Sequence, residues 1–503
     1  MKSVLEYLEQ TANSNKDKVA VIEEENRCSY FELLQKSKKI GSGITKNVDV
    51  REPVPILMEK GINALETFFG IVYAGCFYVL LNPELPQTRL EKILEILDAK
   101  VLITDEQHEA TAKEIAGNRE ILKIEKLQET EIDEVKLNKI RENALDVDPL
   151  YANFTSGSTG EPKGVVVSHR SVIDFINVFT KQFNITGEDI IANQAPFDFD
   201  VSVKDIYSAI KTGATLLIVP RKLFSMPTKL LDYICDNNAT TLIWAVSALC
   251  LITTFHGLDY RLPTSINKIL FSGEIMPIKH IKEWIKHLPN VMYVNVYGPT
   301  EITCNCTYYV LDNEKEYEKI PMGVAFDNEQ VFLLDEEDKI VVETMKNGEV
   351  CVKGTALALG YYNNNEQTSK CFVQNPLNNK YIDLIYRTGD LAYLGEDGNF
   401  YFCGRKDFQI KHMGHRIELE EIEREIEKIE EIERACCIYD EEKNKICAFY
   451  IGNIEKSELH DKLKNALPIF MVPNVIRKIE EFPVTKNGKI DRKQLMKNLK
   501  EGK

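Results

Sequence analysis

The sequence lacks the features of a secreted or membrane-spanning chain. Its longest apolar run, residues 68–81, is too short to cross a bilayer, which takes about 20 residues. The opening stretch MKSVLEYLEQ carries charges where the apolar core of a secretory signal belongs. Twelve cysteines are present, but none forms a CxxC pair of the zinc-binding type. We therefore expect reduced thiols, a cytoplasmic location and no membrane insertion.

An excess of positive charge is also absent. Lys and Arg total 62 against 78 Asp and Glu, which gives a formal net charge of -16. Such a surface repels polyanions except at local basic patches. The composition therefore argues against a nucleic-acid partner, and any anionic ligand must be met by a local group of donors.

Composition and periodicity indicate a large globular chain. With 503 residues, of which 44% are apolar, the length predicts about three domain-sized units. Helical and strand patterns alternate from about residue 17 to 320, which predicts an α/β fold with a largely parallel sheet. In one example, apolar residues between 203 and 210 follow helical spacing, and a strand is expected at 214–219.

The amino-acid composition of the sequence changes near Arg416. The stretch RIELEEIEREIEKIEEIER is rich in glutamate, and it places Ile422, Ile426, Ile429 and Ile432 on one helical face. The glutamates are most simply a solvated face rather than a metal site, because no histidine or aspartate converges with them. Two short strands and a further helix follow, so we expect a separate small α+β domain here.

The stretch FTSGSTGEPKG at 154–164 is unusually rich in hydrogen-bond donors. Its glycines, hydroxyls and one lysine suit a phosphate chain. The pattern is not a P-loop, because Pro162 precedes Lys163 and Gly164 follows it. Apolar strand patterns flank the stretch, so a phosphate-binding loop between two strands is favoured over the alternative of a flexible linker.

Four later stretches follow this loop in order. They are NVYGPTE (295–301), YRTGD (386–390), GRKDFQIKHMGHRIELEEIE (404–423) and TKNGKIDRKQL (485–495). Together the five resemble motifs of the adenylate-forming superfamily of acyl-CoA synthetases, luciferases and adenylation domains. The resemblance is closest to amino-acid adenylation domains of nonribosomal peptide synthetases and to D-alanine–carrier protein ligases. GCFYVLLNP (75–83) resembles an earlier motif, so the similarity covers nearly the whole chain.

The resemblance implies ATP and Mg²⁺ as cofactors and gives each motif a role. The loop would wrap the β- and γ-phosphates, Tyr297 would face adenine, Glu301 would hold Mg²⁺, and Lys489 would bridge the substrate carboxylate and the α-phosphate. Plainer alternatives are a tight turn at 298–299, a capped turn, and solvated charges. The implied ATP- or AMP-binding residues are Thr155, Ser156, Gly157, Ser158, Thr159, Lys163, Asn295, Tyr297, Gly298, Asp390 and Arg405, and the implied catalytic residues are Thr300, Glu301 and Lys489.

The resemblance also implies two domains that move relative to each other. It predicts a large N-terminal domain of layered sheets and helices at 1–406 and a small, mobile α+β domain at 407–503 that carries the catalytic lysine. Asp407 matches the family hinge. After rotation, residues 408–413 would line the tunnel for a thiol arm.

The stretch FDFDVSV at 197–203 bears on the substrate. Asp200 matches the aspartate that pairs with the α-ammonium group in amino-acid-activating relatives, whereas the alternatives are a helix cap or a pair with Lys204. Lys204 could pair with an acidic substrate side chain or could neutralise Asp200 or Asp205. Leu270 with Ser272 resembles pockets for small polar amino acids, and Ser272 replaces the Cys of D-alanine ligases. By family position, the remaining pocket residues are Val201, Val296, Cys304, Asn305 and a wall at 243–244 that we assign to Trp244.

These expectations combine into one leading function with two alternatives. The leading function is ATP-dependent activation of an amino acid as aminoacyl-AMP, with transfer to the phosphopantetheine thiol of a carrier protein. Because no carrier domain follows residue 495, we expect that carrier to act in trans. An acyl- or aryl-CoA ligase would use CoA and would have no need for Asp200. A non-catalytic carrier-binding homologue is the other alternative.

Overall fold

The computed structural model of the protein describes residues 1–157, 161–484 and 490–501. The chain forms two compact units. The first comprises Met1–Pro83, Leu97–Asn153 and Gly164–Lys406, and the second comprises Glu84–Ile96, Phe154–Lys163 and Asp407–Lys503. The main change of unit along the chain therefore falls between Lys406 and Asp407. The functional domains at 1–406 and 407–503 stay a prediction.

The strands are numbered in chain order. They are β1 Val19–Glu23, β2 Asn26–Ser29, β3 Pro53–Leu57, β4 Phe77–Leu81, β5 Val101–Thr104, β6 Glu120–Lys123, β7 Pro149–Thr155, β8 Lys163–Ser168, β9 Ile190–Asn193, β10 Thr215–Ile218, β11 Thr241–Ala245, β12 Lys268–Ser272, β13 Met292–Tyr297, β14 Thr307–Val310, β15 Val324–Ala325, β16 Glu329–Leu334, β17 Asn347–Gly354, β18 Gly360–Tyr361, β19 Phe372–Gln374, β20 Leu384–Leu394, β21 Phe400–Arg405, β22 Gln409–His412, β23 His415–Glu418, β24 Ile432–Asp440, β25 Lys445–Gly452 and β26 Val475–Lys478.

The α-helices are numbered in the same way. They are α1 Leu5–Ser14, α2 Tyr30–Ile44, α3 Ile62–Tyr73, α4 Gln87–Leu97, α5 Glu109–Ile115, α6 Ile124–Gln128, α7 Glu134–Glu142, α8 His169–Gln182, α9 Val201–Thr212, α10 Pro227–Asp236, α11 Val246–Thr254, α12 Gly257–Tyr260, α13 Ile278–His287, α14 Asn365–Cys371, α15 Leu419–Glu427, α16 Lys456–Ala466 and α17 Arg492–Lys500. Short 3-10 helices occur at Arg221–Ser225, Thr300–Ile302 and Ile469–Met471.

A nine-stranded sheet dominates the first unit, with the order β15-β14-β13-β12-β11-β9-β10-β1-β2. The six central strands run parallel, whereas β2, β14 and β15 pair antiparallel at the edges. Central strands such as β10 and β12 are buried along their whole length, as expected for a parallel sheet covered on both faces. The predicted α/β class with a largely parallel sheet is confirmed.

Helix α9 forms where the helical periodicity predicted it. Val203, Ile206, Tyr207 and Ile210 are buried. The helix ends at Gly213, whose φ of 76° is a left-handed conformation that glycine adopts without a Cβ clash. Because α9 starts beside the carboxyl ends of the parallel strands, its first turn lies where such sheets place ligands.

Two further sheets complete the first unit. A seven-stranded sheet has the order β18-β8-β7-β4-β3-β5-β6, and an antiparallel sheet combines β16, β17, β20, β19 and β21. One hydrophobic core contains side chains from both large sheets and from α2, α3, α8 and α9. A second core covers the opposite face of the nine-stranded sheet beneath α10, α11 and α13.

The second unit contains a two-stranded sheet, β22-β23, and a three-stranded sheet, β24-β25-β26. Helix α15 was predicted to continue to Ile432, but it ends at Glu427, and Ile432 begins β24. The expected solvated glutamate face was also partly wrong. Glu421 is buried and pairs with Arg89 of α4, and Glu423 is mostly buried and pairs with Arg492. Arginine partners allow these carboxylates to leave water.

The described residues include no helix that is both long enough and apolar enough to cross a membrane.

Candidate functional site

Asp390 is the centre of one polar group in the first unit. It is 3% exposed, and the register of β20 with β21 places it opposite Arg405, whose guanidinium contacts its carboxylate. The hydroxyl of Tyr297, at the end of β13, donates to Asp390 Oδ2 at 2.5 Å. Burial and the neighbouring Asp390 raise the pKa of this phenol well above its usual range. The structure therefore brings together three residues expected at the nucleotide.

Glu301 is a second polar centre of the first unit. It lies in the 3-10 helix that starts at Thr300, and its side chain is fully buried. The Tyr361 hydroxyl donates to Glu301 Oε1 at 2.7 Å, and the Ala358 amide donates to the Glu301 carbonyl oxygen at 2.9 Å. Because a buried carboxylate is costly without compensation, this arrangement suits a group that meets a cation. Tyr361 was missed by the sequence analysis, because the surrounding residues match no motif.

Mg²⁺ fits the chemistry of this donor set. The ion prefers oxygen ligands and is usually held by one or two carboxylates together with substrate phosphates. Glu301 supplies a carboxylate that the Tyr361 hydroxyl orients through one oxygen. The solvated glutamate of the plainer interpretation is therefore wrong, since Glu301 is 0% exposed.

Gly298 explains the backbone path beside this group. A Cβ at this position would lie 2.4 Å from Asn305 Cα and 2.7 Å from the Cys304 carbonyl oxygen. Only glycine lets the strand end at Tyr297 pass so close to the segment 304–306. Asn295, three residues before Gly298, makes a separate contact. Its side-chain amide donates to the Pro321 carbonyl oxygen at 2.7 Å.

The predicted phosphate loop belongs to the second unit. Thr155 Oγ1 is buried and has no hydrogen-bond partner among residues 1–157, 161–484 and 490–501. Ser156 Oγ donates to the Arg416 carbonyl oxygen at 2.7 Å. Lys163 is 7% exposed, and its Nζ lies 4.0 Å from a Glu418 carboxylate oxygen. Ser158, Thr159 and the expected catalytic Lys489 lie outside the described residues.

The loop residues fit a polyphosphate. At Gly157 a Cβ would lie 2.2 Å from the Glu161 carbonyl oxygen, so the backbone is packed as closely as only glycine allows. A buried hydroxyl whose donor is unused among the described residues, tightly packed backbone amides and one lysine charge are the groups that cradle phosphate oxygens. ATP is therefore compatible with these residues.

Asp200 and Lys204 lie one turn apart at the start of α9. Asp200 makes no capping hydrogen bond to the helix, so the alternative of a helix cap is wrong. Its carbonyl oxygen accepts a hydrogen bond from the Cys304 thiol at 3.1 Å. Lys204 is fully buried and donates to Asn305 Oδ1 at 2.7 Å. Val201 begins the helix and is partly buried.

An unusual backbone conformation holds the segment against α9. Thr303 has a φ of 65° and Cys304 a φ of 147°, which L-residues rarely adopt and which costs free energy. The Thr303 hydroxyl anchors the turn by donating to the Ala356 carbonyl oxygen at 2.6 Å. Strain of this kind is concentrated at binding and catalytic sites, where surrounding contacts hold it in place.

The strands of the large sheet add an apolar wall. Leu270 of β12 and Val296 of β13 lie in the same core as Cys304, and Ser272 points to the same face as Leu270 by strand alternation. Trp244 does not join them. Its side chain lies in the opposite core, where its indole nitrogen donates to the Ala192 carbonyl oxygen at 2.8 Å. Ile243 shares the core of Leu270 instead, because one residue along a strand reverses the face.

A network of buried charged and polar side chains includes Asp205, the residue that follows Lys204 in α9. Asn193 Nδ2 donates to Asp205 Oδ2 at 2.6 Å, and Lys60 Nζ donates to Asn193 Oδ1 at 3.0 Å. Burial raises the pKa of Asp205 to about 7 and lowers the pKa of Lys60 to about 7. Burial also lowers the pKa of Lys204. The sequence analysis missed Lys60 and Asn193, because neither belongs to a motif.

Comparison with known proteins identifies the family. Residues 8–362 match the model of the AMP-binding enzyme family. Bacitracin synthase 1 of Bacillus licheniformis is 32% identical over 503 residues, which cover 98% of this chain and 9% of that protein. Zwittermicin A synthase ZmaJ of Bacillus cereus is 33% identical over 497 residues, covering 95% of this chain and 92% of that protein.

The fold is shared with a solved structure of holo-PA1221, a nonribosomal peptide synthetase protein containing adenylation and PCP domains. That structure has a TM-score of 0.82 and 21% identity, and it covers 99% of this chain and 84% of its own. The chain spans less than half the length of several curated relatives that it matches. The resemblance seen in the motifs is confirmed: the chain belongs to the AMP-binding enzyme family of the adenylate-forming superfamily, and within it lies close to the adenylation domains of nonribosomal peptide synthetases.

Proposed function

We propose that the protein uses ATP to activate an amino acid as aminoacyl-AMP, with release of pyrophosphate. The aminoacyl group then passes to the phosphopantetheine thiol of a carrier protein supplied as a separate chain. The observation that carries this proposal is the arrangement at the start of α9, where Asp200 is held beside Cys304 without capping the helix.

Asp200 would pair with the α-ammonium group of the substrate. Transferring an ammonium group from water into a protein costs several kcal/mol unless an opposite charge or several acceptors replace the water. A fatty or aryl acid has no ammonium group to offer to the carboxylate of Asp200. Asp200 therefore favours an amino acid over the substrates of acyl- or aryl-CoA ligases.

The nucleotide would be bound by the polar groups described above. Asp390, fixed by Tyr297 and Arg405, offers carboxylate oxygens to the two ribose hydroxyls. Tyr297 offers a ring face to adenine, while Thr155, Gly157 and Lys163 would take phosphate oxygens. Glu301 and the substrate phosphates would hold Mg²⁺, which when bound neutralises phosphate charge.

Two further roles follow from the same proposal. Thr300, at the start of the 3-10 helix, would bind phosphate. Lys489 would place its ammonium between the substrate carboxylate and the α-phosphate, where it would reduce the repulsion between two anions as the new bond forms. Both roles are tested by adenylation kinetics of the respective alanine variants.

The carrier protein is the partner that the relatives support. The similar structure of holo-PA1221 contains a PCP domain together with an adenylation domain. Loading of a carrier by this chain is therefore part of the proposal. A phosphopantetheine-loaded carrier protein is the acceptor to test, with CoA as the alternative acceptor.

The first experiment measures exchange of labelled pyrophosphate into ATP with a panel of amino acids, fatty acids and aryl acids. We expect exchange with at least one amino acid, and we expect Asp200→Asn to reduce it by about 100-fold or more. Asp327→Asn, which changes an exposed carboxylate of the same unit, is the matched control. Exchange only with acids that lack an amine, or with no acid at all, would contradict the proposal.

A further inference from the structure

Lys204 is a buried lysine that donates its hydrogen bond, among the described residues, to a neutral amide. It is 0% exposed, and its Nζ donates to Asn305 Oδ1 at 2.7 Å. An ammonium group has three hydrogens to donate. Among the described residues, Asn305 supplies an acceptor for one of these three hydrogens, and no second acceptor for Lys204 Nζ is found there. Burial therefore lowers the pKa of Lys204, since one amide does not replace its hydration.

Two neighbouring polar groups also have donors to spare. Ser272 is 7% exposed and Asn305 is 2% exposed. Across residues 1–157, 161–484 and 490–501, neither the Ser272 hydroxyl nor the Asn305 Nδ2 group has a hydrogen-bond partner. A ligand group rich in acceptors would satisfy both of these and Lys204 together.

Asp205 forms no ion pair with Lys204 in the described part of the chain, although its charge acts on Lys204. Its carboxylate accepts a hydrogen bond from Asn193, and Asn193 in turn accepts one from Lys60. Burial shifts the pKa values of Asp205 and Lys60 towards each other, both to about 7. The charges of Lys204 and Lys60 both lower the pKa of Asp205, so one carboxylate is shared between two lysines and does not fully compensate Lys204.

Asp200 and Lys204 are the two charged residues that we propose to face the substrate. They lie one helical turn apart on α9 and carry opposite charges. When Asp200 pairs with the α-ammonium group as proposed, the substrate compensates the negative charge of Asp200. That charge then no longer compensates Lys204. A substrate with a neutral side chain would leave Lys204 buried beside an amide alone, which is unfavourable.

We infer that the site takes an amino acid whose side chain ends in a carboxylate, which binds Lys204, Asn305 Nδ2 and Ser272. This inference rests on the proposed function, because Asp200 must first bind the α-ammonium group. The substrate then presents a cation to Asp200 and an anion to Lys204. Leu270 and Val296 would contact the methylene groups between the two charges.

The test compares acidic amino acids with their amides, which match them in size. Pyrophosphate exchange is measured with aspartate, asparagine, glutamate, glutamine, serine, cysteine, leucine and D-alanine. We expect one acidic amino acid to exceed its own amide by about 100-fold in kcat/KM, because the amide lacks the charge that Lys204 requires. A neutral amino acid as the best substrate would overturn the inference but leave the proposed function in place. Absence of exchange with every amino acid would overturn both.

A charge-removing variant locates the preference at Lys204. Lys204→Met should lower kcat/KM for the acidic substrate by about 100-fold and bring the ratio of acid to amide close to one. Lys211→Met removes a partly buried lysine from the same helix, which donates to Thr180 Oγ1 at 2.7 Å, and should keep the wild-type ratio. An unchanged ratio in Lys204→Met would contradict the assignment. If that variant does not fold, the wild-type panel still decides the inference.

Discussion

At the scale of single residues, the burial of Glu301 is the feature most directly tied to chemistry. A carboxylate that is 0% exposed is costly to bury unless a cation or hydrogen-bond donors compensate it, and the Tyr361 hydroxyl is one such donor. A side chain with no catalytic use would more easily be apolar in such a place. The cost therefore supports a role in holding Mg²⁺ rather than a role in packing.

We predict that Glu301→Gln reduces adenylation by about 100- to 1000-fold, because a neutral amide is a poor ligand for Mg²⁺. Pyrophosphate exchange should be measured over a range of Mg²⁺ concentrations, where the variant should also need more Mg²⁺ for half-maximal rate. Glu336→Gln, at an exposed position of the same unit, is the control. Wild-type rate and wild-type Mg²⁺ dependence in Glu301→Gln would disprove the role.

His169 offers a test of stability against pH. It is 5% exposed, accepts a hydrogen bond from the Val4 amide at Nδ1, and burial lowers its pKa from 6.5 to about 3. Between these values the unfolded chain binds a proton that the folded chain does not, so stability falls as pH drops below about 6.5. The expected loss from this residue is about 2 kcal/mol between pH 8 and pH 5.

His169→Asn keeps a side-chain acceptor but removes the titration. Thermal unfolding measured from pH 8 to pH 5 should show a smaller fall in Tm for this variant than for the wild type. His256→Asn, at an exposed histidine of the same unit, should keep the wild-type slope. Parallel pH profiles of His169→Asn and the wild type would rule out a buried neutral imidazole.

At the scale of secondary-structure elements, the close approach at Gly298 links β13 to the segment 304–306. A Cβ there would collide with backbone atoms of Cys304 and Asn305, which cannot move as a flexible side chain can. That segment carries the contacts of Cys304 with Asp200 and of Asn305 with Lys204. Gly298 therefore positions the segment that contacts Asp200 and Lys204 as well as ending the strand.

We predict that Gly298→Ala destabilises the fold by about 1–3 kcal/mol and raises KM for the amino acid more than KM for ATP. The measurements are thermal unfolding and pyrophosphate exchange with each substrate varied. Gly398→Ala is the control, because Gly398 has a φ of 77° but nothing within 4 Å of a Cβ. A rise in KM for the amino acid in Gly398→Ala as large as in Gly298→Ala would show that the contact with 304–306 is not what matters.

The elements also show how far sequence could lead. Helix α9 and the strands around 154–164 were predictable because apolar periodicity and turn residues are local signals. Trp244 was assigned to the wrong face because alternation fixes a face only once the register with β12 is known. The end of α15 at Glu427 was missed since isoleucines suit both a helix face and the start of β24.

Contacts distant in sequence explain the rest of what was missed. Tyr361 lies 60 residues from Glu301, and Lys60 lies 133 residues from Asn193. Neither residue belongs to a motif. Each contact forms only when folding brings distant segments of the chain together. The motifs indicated the groups that are expected to meet ligands, whereas the residues that hold those groups in place became visible only in the structure.

At the scale of the whole molecule, the chain passes from the first unit to the second between Lys406 and Asp407. Lys406 donates its backbone amide to Gly389 and pairs with Glu349, both in the first unit. Asp407 is exposed and accepts a hydrogen bond from the Gln409 amide in the second unit. One backbone position thus separates residues anchored to different units, which is where a hinge would act.

We predict that Asp407→Pro impairs transfer to the thiol at least ten-fold more than it impairs adenylation. Proline fixes φ near -65° and restricts the preceding residue, so the backbone can no longer change conformation between the two half-reactions. Adenylation is measured by pyrophosphate exchange, and transfer is measured by loading of a phosphopantetheine-carrying protein from preformed aminoacyl-AMP. Glu441→Pro, in the exposed turn between β24 and β25, controls for a general effect of proline in this unit. Equal loss of both half-reactions in Asp407→Pro would place the hinge elsewhere, because a fixed backbone at a true hinge should block only the step that requires rotation.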